Sequence, residues 1–295
     1  MMRDPKAVCY PPDPNTRKPR LKLPAGAWDT HFHAVGPPHL FPYDEKYQPF
    51  YSPAAPIEHY FAVATILGFE RGVVVHPSFH GLDNAVTLDA IRKSDGRLRG
   101  IVIADMDFEE IDIRKLHEQG IRGVRFEFRN LGVFDEKRFN RLVALLAKTS
   151  WVAAMHVDPV SLVRLADVMA KMPVPTVIEN YASIDARLGL DQPALRTMLD
   201  LAGEPHVWLK AASAYRMTAL RGATYDQVLS IARAVHARSP DRTIWGTDWP
   251  NPGFFEPGRL PNAADIVDSL LEFVPDEGVR RKLLVDNPKR LFDSE

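Results

Sequence analysis

The stretch Ala27-Trp28-Asp29-Thr30-His31-Phe32-His33 decides the fold. It is a short, apolar run that ends in polar residues, and it opens a series of such runs. Further candidate strands are Gly72–Pro77, Arg99–Ala104, Gly123–Phe128, Trp151–Val157, Thr176–Asn180, His206–Lys210 and Thr243–Gly246. Each strand is followed by one amphipathic segment: Ile57–Leu67, Asn84–Lys93, Glu109–Gln119, Glu136–Lys148, Val160–Lys171, Gln192–Ala202, Tyr225–Ala237 and Ala263–Phe273. In 136–148, Phe139, Leu142, Val143, Leu146 and Ala147 fall on one face, the 3.6-residue period of a helix. Eight strand-then-helix units in about 250 residues predict an α/β protein of the (β/α)8, or TIM-barrel, class. A doubly wound open sheet shows the same alternation but needs a glycine-rich phosphate turn after its first strand. His31-Phe32-His33 stands there instead, which selects the barrel.

The chain has 295 residues, 45% of them hydrophobic, enough to bury a large core without cross-links. Lys plus Arg is 37 against 38 Asp plus Glu; a net charge of -1 argues against a nucleic-acid partner. Cys9 is the single cysteine, so no disulfide forms within the chain, and a reducing, cytoplasmic location is expected. No stretch approaches the ~18 apolar residues of a membrane span. Residues 1–24 hold six prolines and no apolar signal-like core, and they read as an extended Pro-rich arm, free or packed across the barrel. No linker interrupts 25–295, which reads as a single barrel domain; homo-oligomerisation is left open. Two loops exceed the usual ~2–6 residues: 34–56 and 247–262. Both fall on the C-terminal face, where barrel enzymes place their sites. In the first, Phe41, Tyr43, Tyr47, Phe50 and Tyr51 read either as a lid over the site or as a packed flap.

In a strand, residues two apart share a face, so His31 and His33 point the same way, above Asp29. Two imidazoles there can bind a divalent metal or jointly polarise a carbonyl; a pair of buried core histidines is the plain alternative. The eighth strand leads into Trp245-Gly246-Thr247-Asp248-Trp249-Pro250. Barrel closure sets this strand beside the first. Asp248 can then ligate a metal and take a proton from attacking water, or serve only as an Asx turn.

Asp-x-His-x-His at strand one, with Trp-Gly-Thr-Asp-Trp-Pro at strand eight, resembles the amidohydrolase superfamily. Within it the chain is similar to the 2-pyrone-4,6-dicarboxylate lactonase branch, through Gly26–Gly36, Ser78-Phe79-His80-Gly81-Leu82-Asp83-Asn84, Gly120–Phe128 and Ile244–Pro252. The resemblance implies a site built from His31, His33, a strand-six histidine and Asp248. It also implies that Ser78 and Arg125 hold substrate, with Tyr47, Arg216 and Arg129 matching further binding positions on shorter stretches.

The chain departs from that pattern twice. Strand six ends Glu179-Asn180 where the family has Asp-His, and Asn is a poor zinc ligand and no acid or base, so Asn180 is left with a substrate-binding role. Strand five ends with His156, where the pyrone lactonases have tyrosine. A strand-five histidine is a metal ligand in aminocarboxymuconate-semialdehyde decarboxylase-like members. His31, His33, His156 and Asp248 then make a candidate site for one zinc or manganese ion; metal-free catalysis, with His156 hydrogen-bonding substrate, is the alternative. Glu127 shares a strand face with Arg125 and Arg129 and reads as an internal ion-pair partner or an extra ligand or base.

The expected function is hydrolysis of a small carboxylated lactone of the 2-pyrone-4,6-dicarboxylate or muconolactone type, in the breakdown of aromatic compounds. Asp248 is the general base, His31 and His33 polarise the carbonyl, and arginines clamp carboxylates bidentately. A metal-dependent decarboxylase, a lactone isomerase and a non-catalytic binding protein are the competing expectations.

Overall fold

The computed structural model describes residues 7–46, 50–104, 106–129, 131, 134–219, 222–256 and 258–293. Eight parallel strands follow chain order around one sheet: β1 (Trp28–Phe32), β2 (Arg71–Val75), β3 (Leu98–Val102), β4 (Ile121–Phe128), β5 (Val152–Val157), β6 (Thr176–Ile178), β7 (Val207–Lys210) and β8 (Thr243–Ile244). The ends meet: the Thr30 N–H donates to Trp245 O (3.0 Å), Asp248 N–H to His31 O (2.8 Å) and His33 N–H to Trp249 O (2.7 Å). The molecule is a (β/α)8 TIM barrel. Gly246 lets the closing strands touch. A Cβ there would lie 2.6 Å from the His31 Cβ and 2.8 Å from Asp29 Oδ1.

Inside the barrel, Trp28, Val73, Val75, Ile101, Val152, Ala154, Val177, Trp208 and Ile244 form one apolar cluster. Its floor is plugged by Leu291 and Phe292 of the last helix, Asn287–Phe292, with Phe292 against Trp28 at 6.5 Å between ring centroids. A second, larger core fills the space between sheet and helices. The inward period of two then carries each strand from apolar to polar: Ala154 to His156, Val177 to Glu179, Trp208 to Lys210. The barrel therefore has a dry base and a charged upper layer.

Several element bounds differ from expectation. β6 stops at Ile178 because Asn180 turns left-handed, with φ 53°. β8 is short because the Thr247 N–H goes to the Asp29 carboxylate (3.0 Å) rather than to a strand. The helix expected over 160–171 is broken at Leu165, and the one over 263–273 at Ser269. An extra short helix, Tyr215–Ala219, follows β7.

The described part of the arm, 7–24, packs on the barrel. Backbone bonds tie Ala7 and Cys9 to Tyr51 and Tyr10 to Phe254, while the Leu21 N–H donates to Asp268 (2.9 Å). Leu21 and Leu23 are buried. Among the described residues no helix is long and apolar enough to cross a membrane.

Candidate active site

A cavity of about 340 Å³ opens at the C-terminal ends of the strands. Its wall includes His33, Ser78, Arg125, Arg129, His156, Asn180, Ser213, Arg216 and Asp248. Phe50 and Phe79, in edge contact at 5.4 Å, form part of its rim. Of the loop aromatics, Phe50 thus faces the site, whereas Tyr43 packs against Tyr51 and donates its hydroxyl to Ser52 O. Tyr47 lies outside the described residues.

Asp248 has φ 59°, a left-handed conformation that Asp and Asn tolerate better than most residues. Its Oδ2 accepts from the Tyr215 hydroxyl (2.7 Å) and Arg216 Nε (2.8 Å). That pair aims Oδ1 at His31 Nε2 (3.5 Å) and His33 Nε2 (3.4 Å). Burial raises the carboxyl pKa, but the polar neighbours, the Arg216 charge first among them, outweigh it and hold it well below the usual range. The group stays ionised at any working pH.

The His33 Nδ1 lies 2.8 Å from the Val75 carbonyl, which can only accept. A neutral His33 therefore carries its proton on Nδ1 and turns the Nε2 lone pair toward Asp248 and the cavity. His31 is fully buried, and burial followed by the Lys210 charge lowers its pKa to about 3. The ligand atoms of His31, His33 and Asp248 all lie within 4.8 Å of one another. With Nδ1 taken by Val75, His33 has only Nε2 to turn toward Asp248 Oδ1, and with His31 these atoms form a donor set that fits a divalent cation.

Below this group runs a chain of alternating charges across four strands. Lys210 Nζ donates to Glu179 Oε1 (2.7 Å), Arg125 Nε to Glu179 Oε2 (2.7 Å), Arg125 Nη1 meets Glu127 Oε1 (2.8 Å), and His156 Nδ1 meets Glu127 Oε2 (2.9 Å). Every charge is paired, as burial demands. Burial pushes Glu179 up, but Lys210 and Arg125 hold it well below the carboxylate range. Burial, and then Arg125, lower the His156 pKa to about 4.

Three of the four expected ligands come together. The structure groups His31, His33 and Asp248, and His156 is not among them. Its Nδ1 is held by Glu127, so it meets the cavity as a neutral imidazole in the wall. Glu127 is the internal partner of Arg125 and His156. Asn180 Nδ2 lies 3.4 Å from His31 Nε2, and its Oδ1 is buried without a partner. Arg129 is half-exposed beside Glu127, at 3.8 Å.

Two motif residues prove architectural. His80 Nε2 accepts the Gly36 N–H (3.0 Å) and Nδ1 donates to Pro42 O (2.9 Å), clamping the loop after β1. Asn84 bonds both Ile103 backbone groups. Lys210, Tyr215 and Ser213 belong to no motif read above. The signal for Lys210 is a charge two residues after inward Trp208 in an otherwise apolar strand; Ser213 sits in an irregular segment and Tyr215 opens a five-residue helix, and neither gives one.

A family model described as Amidohydrolase matches residues 28–293. The chain is 39% identical over 287 residues to 4-sulfomuconolactone hydrolase of Rhizobium radiobacter, covering 96% of this chain and 95% of that one. It is 34% identical over 290 residues to 2-pyrone-4,6-dicarboxylate hydrolase of Comamonas testosteroni, covering 94% and 93%. An apo structure from Agrobacterium tumefaciens superposes with a TM-score of 0.81 at 24% identity, over 96% of this chain and 99% of that one, and shares the fold. A citrate-bound structure from Acinetobacter baumannii, named for 2-pyrone-4,6-dicarboxylic acid hydrolase, gives 0.77 at 25% identity, over 91% and 100%. With histidines from β1 and an aspartate beyond β8 meeting at one barrel mouth, the match over nearly the whole chain has a structural basis: the protein belongs to the amidohydrolase family.

Proposed function

We propose that the protein is a hydrolase that opens a small lactone bearing carboxylate or sulfonate groups, of the muconolactone or pyrone-dicarboxylate kind. One observation carries this reading: Asp248 Oδ1 faces two imidazoles in a cavity whose wall also holds Arg125, Arg129 and Arg216. The overlapping names of the relatives support it. The decarboxylase reading loses its motive, since it leaned on His156 as a ligand.

In the proposed mechanism Arg216, Arg129 and the outer edge of Arg125 bind the anionic substituents, with Ser78 adding a hydroxyl. The lactone carbonyl oxygen lies toward His31 and Asn180. Asp248 Oδ1 takes a proton from water as its oxygen attacks the carbonyl carbon. The negative charge on the former carbonyl oxygen is held by hydrogen bonds, each worth about 3 kcal/mol. On collapse the ring C–O bond breaks, the ring oxygen receives the proton from Asp248, and the product is a hydroxy (or enol) acid. His33 and Asp248 would hold a divalent metal, zinc or manganese, with His31 joining them only where its Nε2 carries no proton, and the ion would supply carbonyl polarisation and a more acidic water. We also read the chain as cytoplasmic, with 1–24 as an arm on a 25–295 barrel.

A spectrophotometric screen of carboxylated and sulfonated lactones tests the proposal. Ring opening without carbon dioxide release supports it; decarboxylation of an open-chain acid rejects it.

A further inference from the structure

Lys210 is buried at the end of β7, 1% exposed, and the hydrolytic steps above do not use it. Its ammonium has no lone pair and can only donate. One donor goes to Glu179 Oε1 (2.7 Å) and another faces His31 Nδ1 (3.3 Å). An imidazole nitrogen that accepts from lysine carries no proton. The neutral ring must then bear it on Nε2, the atom facing Asp248 and Asn180, which line the cavity. Glu179 Oε1, 3.6 Å from the same Nδ1, would select the opposite form, but it lies farther away and is already taken by Lys210.

The other side of the ring agrees. His31 Nε2 has Asp248 Oδ1 at 3.5 Å, an acceptor for its proton. Asn180 offers an amide at 3.4 Å whose Oδ1 is buried and unpartnered; a half-turn of that amide places the oxygen on the same proton. An imidazole in place of Asn180, the pattern of the lactonase branch, offers no such interchangeable oxygen.

We propose that Lys210 is a positioning residue that commits His31 to the Nε2–H tautomer, so that its Nε2–H is a hydrogen-bond donor beside Asp248 and Asn180 and is held back from metal ligation. The two histidines then divide the work: His31 donates to the carbonyl oxygen, while His33, fixed by Val75 with its proton on Nδ1, offers a lone pair. The role given to the carbonyl rests on the lactonase reading; the tautomer does not.

Nitrogen-15 NMR of histidine-labelled protein, as purified and after chelation, tests the claim directly. The His31 ring, assigned by its loss in His31→Asn, should show its directly bonded proton on Nε2 and none on Nδ1. In Lys210→Met the proton should move to Nδ1, toward Glu179, and zinc affinity by calorimetry should rise roughly 10–100-fold, the scale of outer-partner effects on metal sites. In that variant kcat should fall while KM holds, because Lys210 touches no substrate. A wild-type His31 protonated on Nδ1, or ligating zinc through Nε2, overturns the proposal, and so does an unchanged tautomer in the variant. The wild-type spectrum decides even if Lys210→Met does not fold. If the tautomer is as stated but no lactone is opened, the functional reading fails and the role of Lys210 stands.

Discussion

His33 Nε2 stands 3.4 Å from Asp248 Oδ1, with the opposite ring nitrogen committed to the Val75 carbonyl. When His33 is neutral, two lone pairs face at that distance and repel unless something positive or protic meets both. Water, the attacking reagent of the proposed reaction, meets the need: it donates one proton to each acceptor. The same gap suits a divalent cation. The geometry thus fixes where the nucleophile starts.

Arg129 lines the cavity but is half-exposed and stands apart from the His–Asp group. Arg129→Ala should raise KM about 10–100-fold for a dianionic lactone, the loss of one charged hydrogen bond, and leave kcat within a few-fold. Steady-state kinetics measures this. A collapse of kcat with KM unchanged would place Arg129 in the chemistry instead.

Gly246 carries no side chain because β8 and β1 leave no room for one. A Cβ would meet Asp29 Oδ1 at 2.8 Å and crowd the His31 backbone. Gly246→Ala should cost about 3 kcal/mol or more and lower the thermal midpoint by several degrees. Thermal unfolding by circular dichroism checks it, and a midpoint equal to wild type would mean that the strands are not so closely joined.

Acid should destabilise the fold well before the carboxylates titrate. Burial lowers the pKa of His76 to about 3 and of His236 to about 4. Between their unfolded value near 6.5 and those folded values, the unfolded chain binds two protons that the native one refuses. Asp29 acts oppositely. Burial raises it to about 6, so the native state gains one proton as pH falls through that point. The balance is at least one proton, and stability should drop by at least roughly 1.4 kcal/mol per pH unit between pH 6 and 5. Denaturant titrations at those two pH values measure the slope; a flat or reversed slope contradicts the burial of these histidines.

The barrel was legible because strand and helix periods alternate cleanly and because closure needs only the right count. His31, His33 and Asp248 were legible because each ends a strand in a polar cluster that a core would not contain. Their supports were not. Lys210 contacts Glu179 and His31 across 31 and 179 residues of chain, a pairing no local pattern encodes. Tyr215 holds Asp248 from an extra helix that propensity alone does not mark. His156 misled for a related reason. Its fate depends on Glu127 of the neighbouring strand, which claims Nδ1 and draws it into the wall. Inward facing was predictable from the period of two; the partner was not.

In the proposed reaction Asp248 drives water onto a lactone carbonyl, and the turnover of Asp248→Asn is the decisive measurement. Asparagine suits the left-handed backbone at φ 59° and can still accept from Tyr215 and Arg216, so the fold should persist. A lactone opened by the wild type should be turned over about 10²–10⁴-fold more slowly by this variant, with KM little changed. Wild-type kcat in a folded Asp248→Asn protein would contradict it.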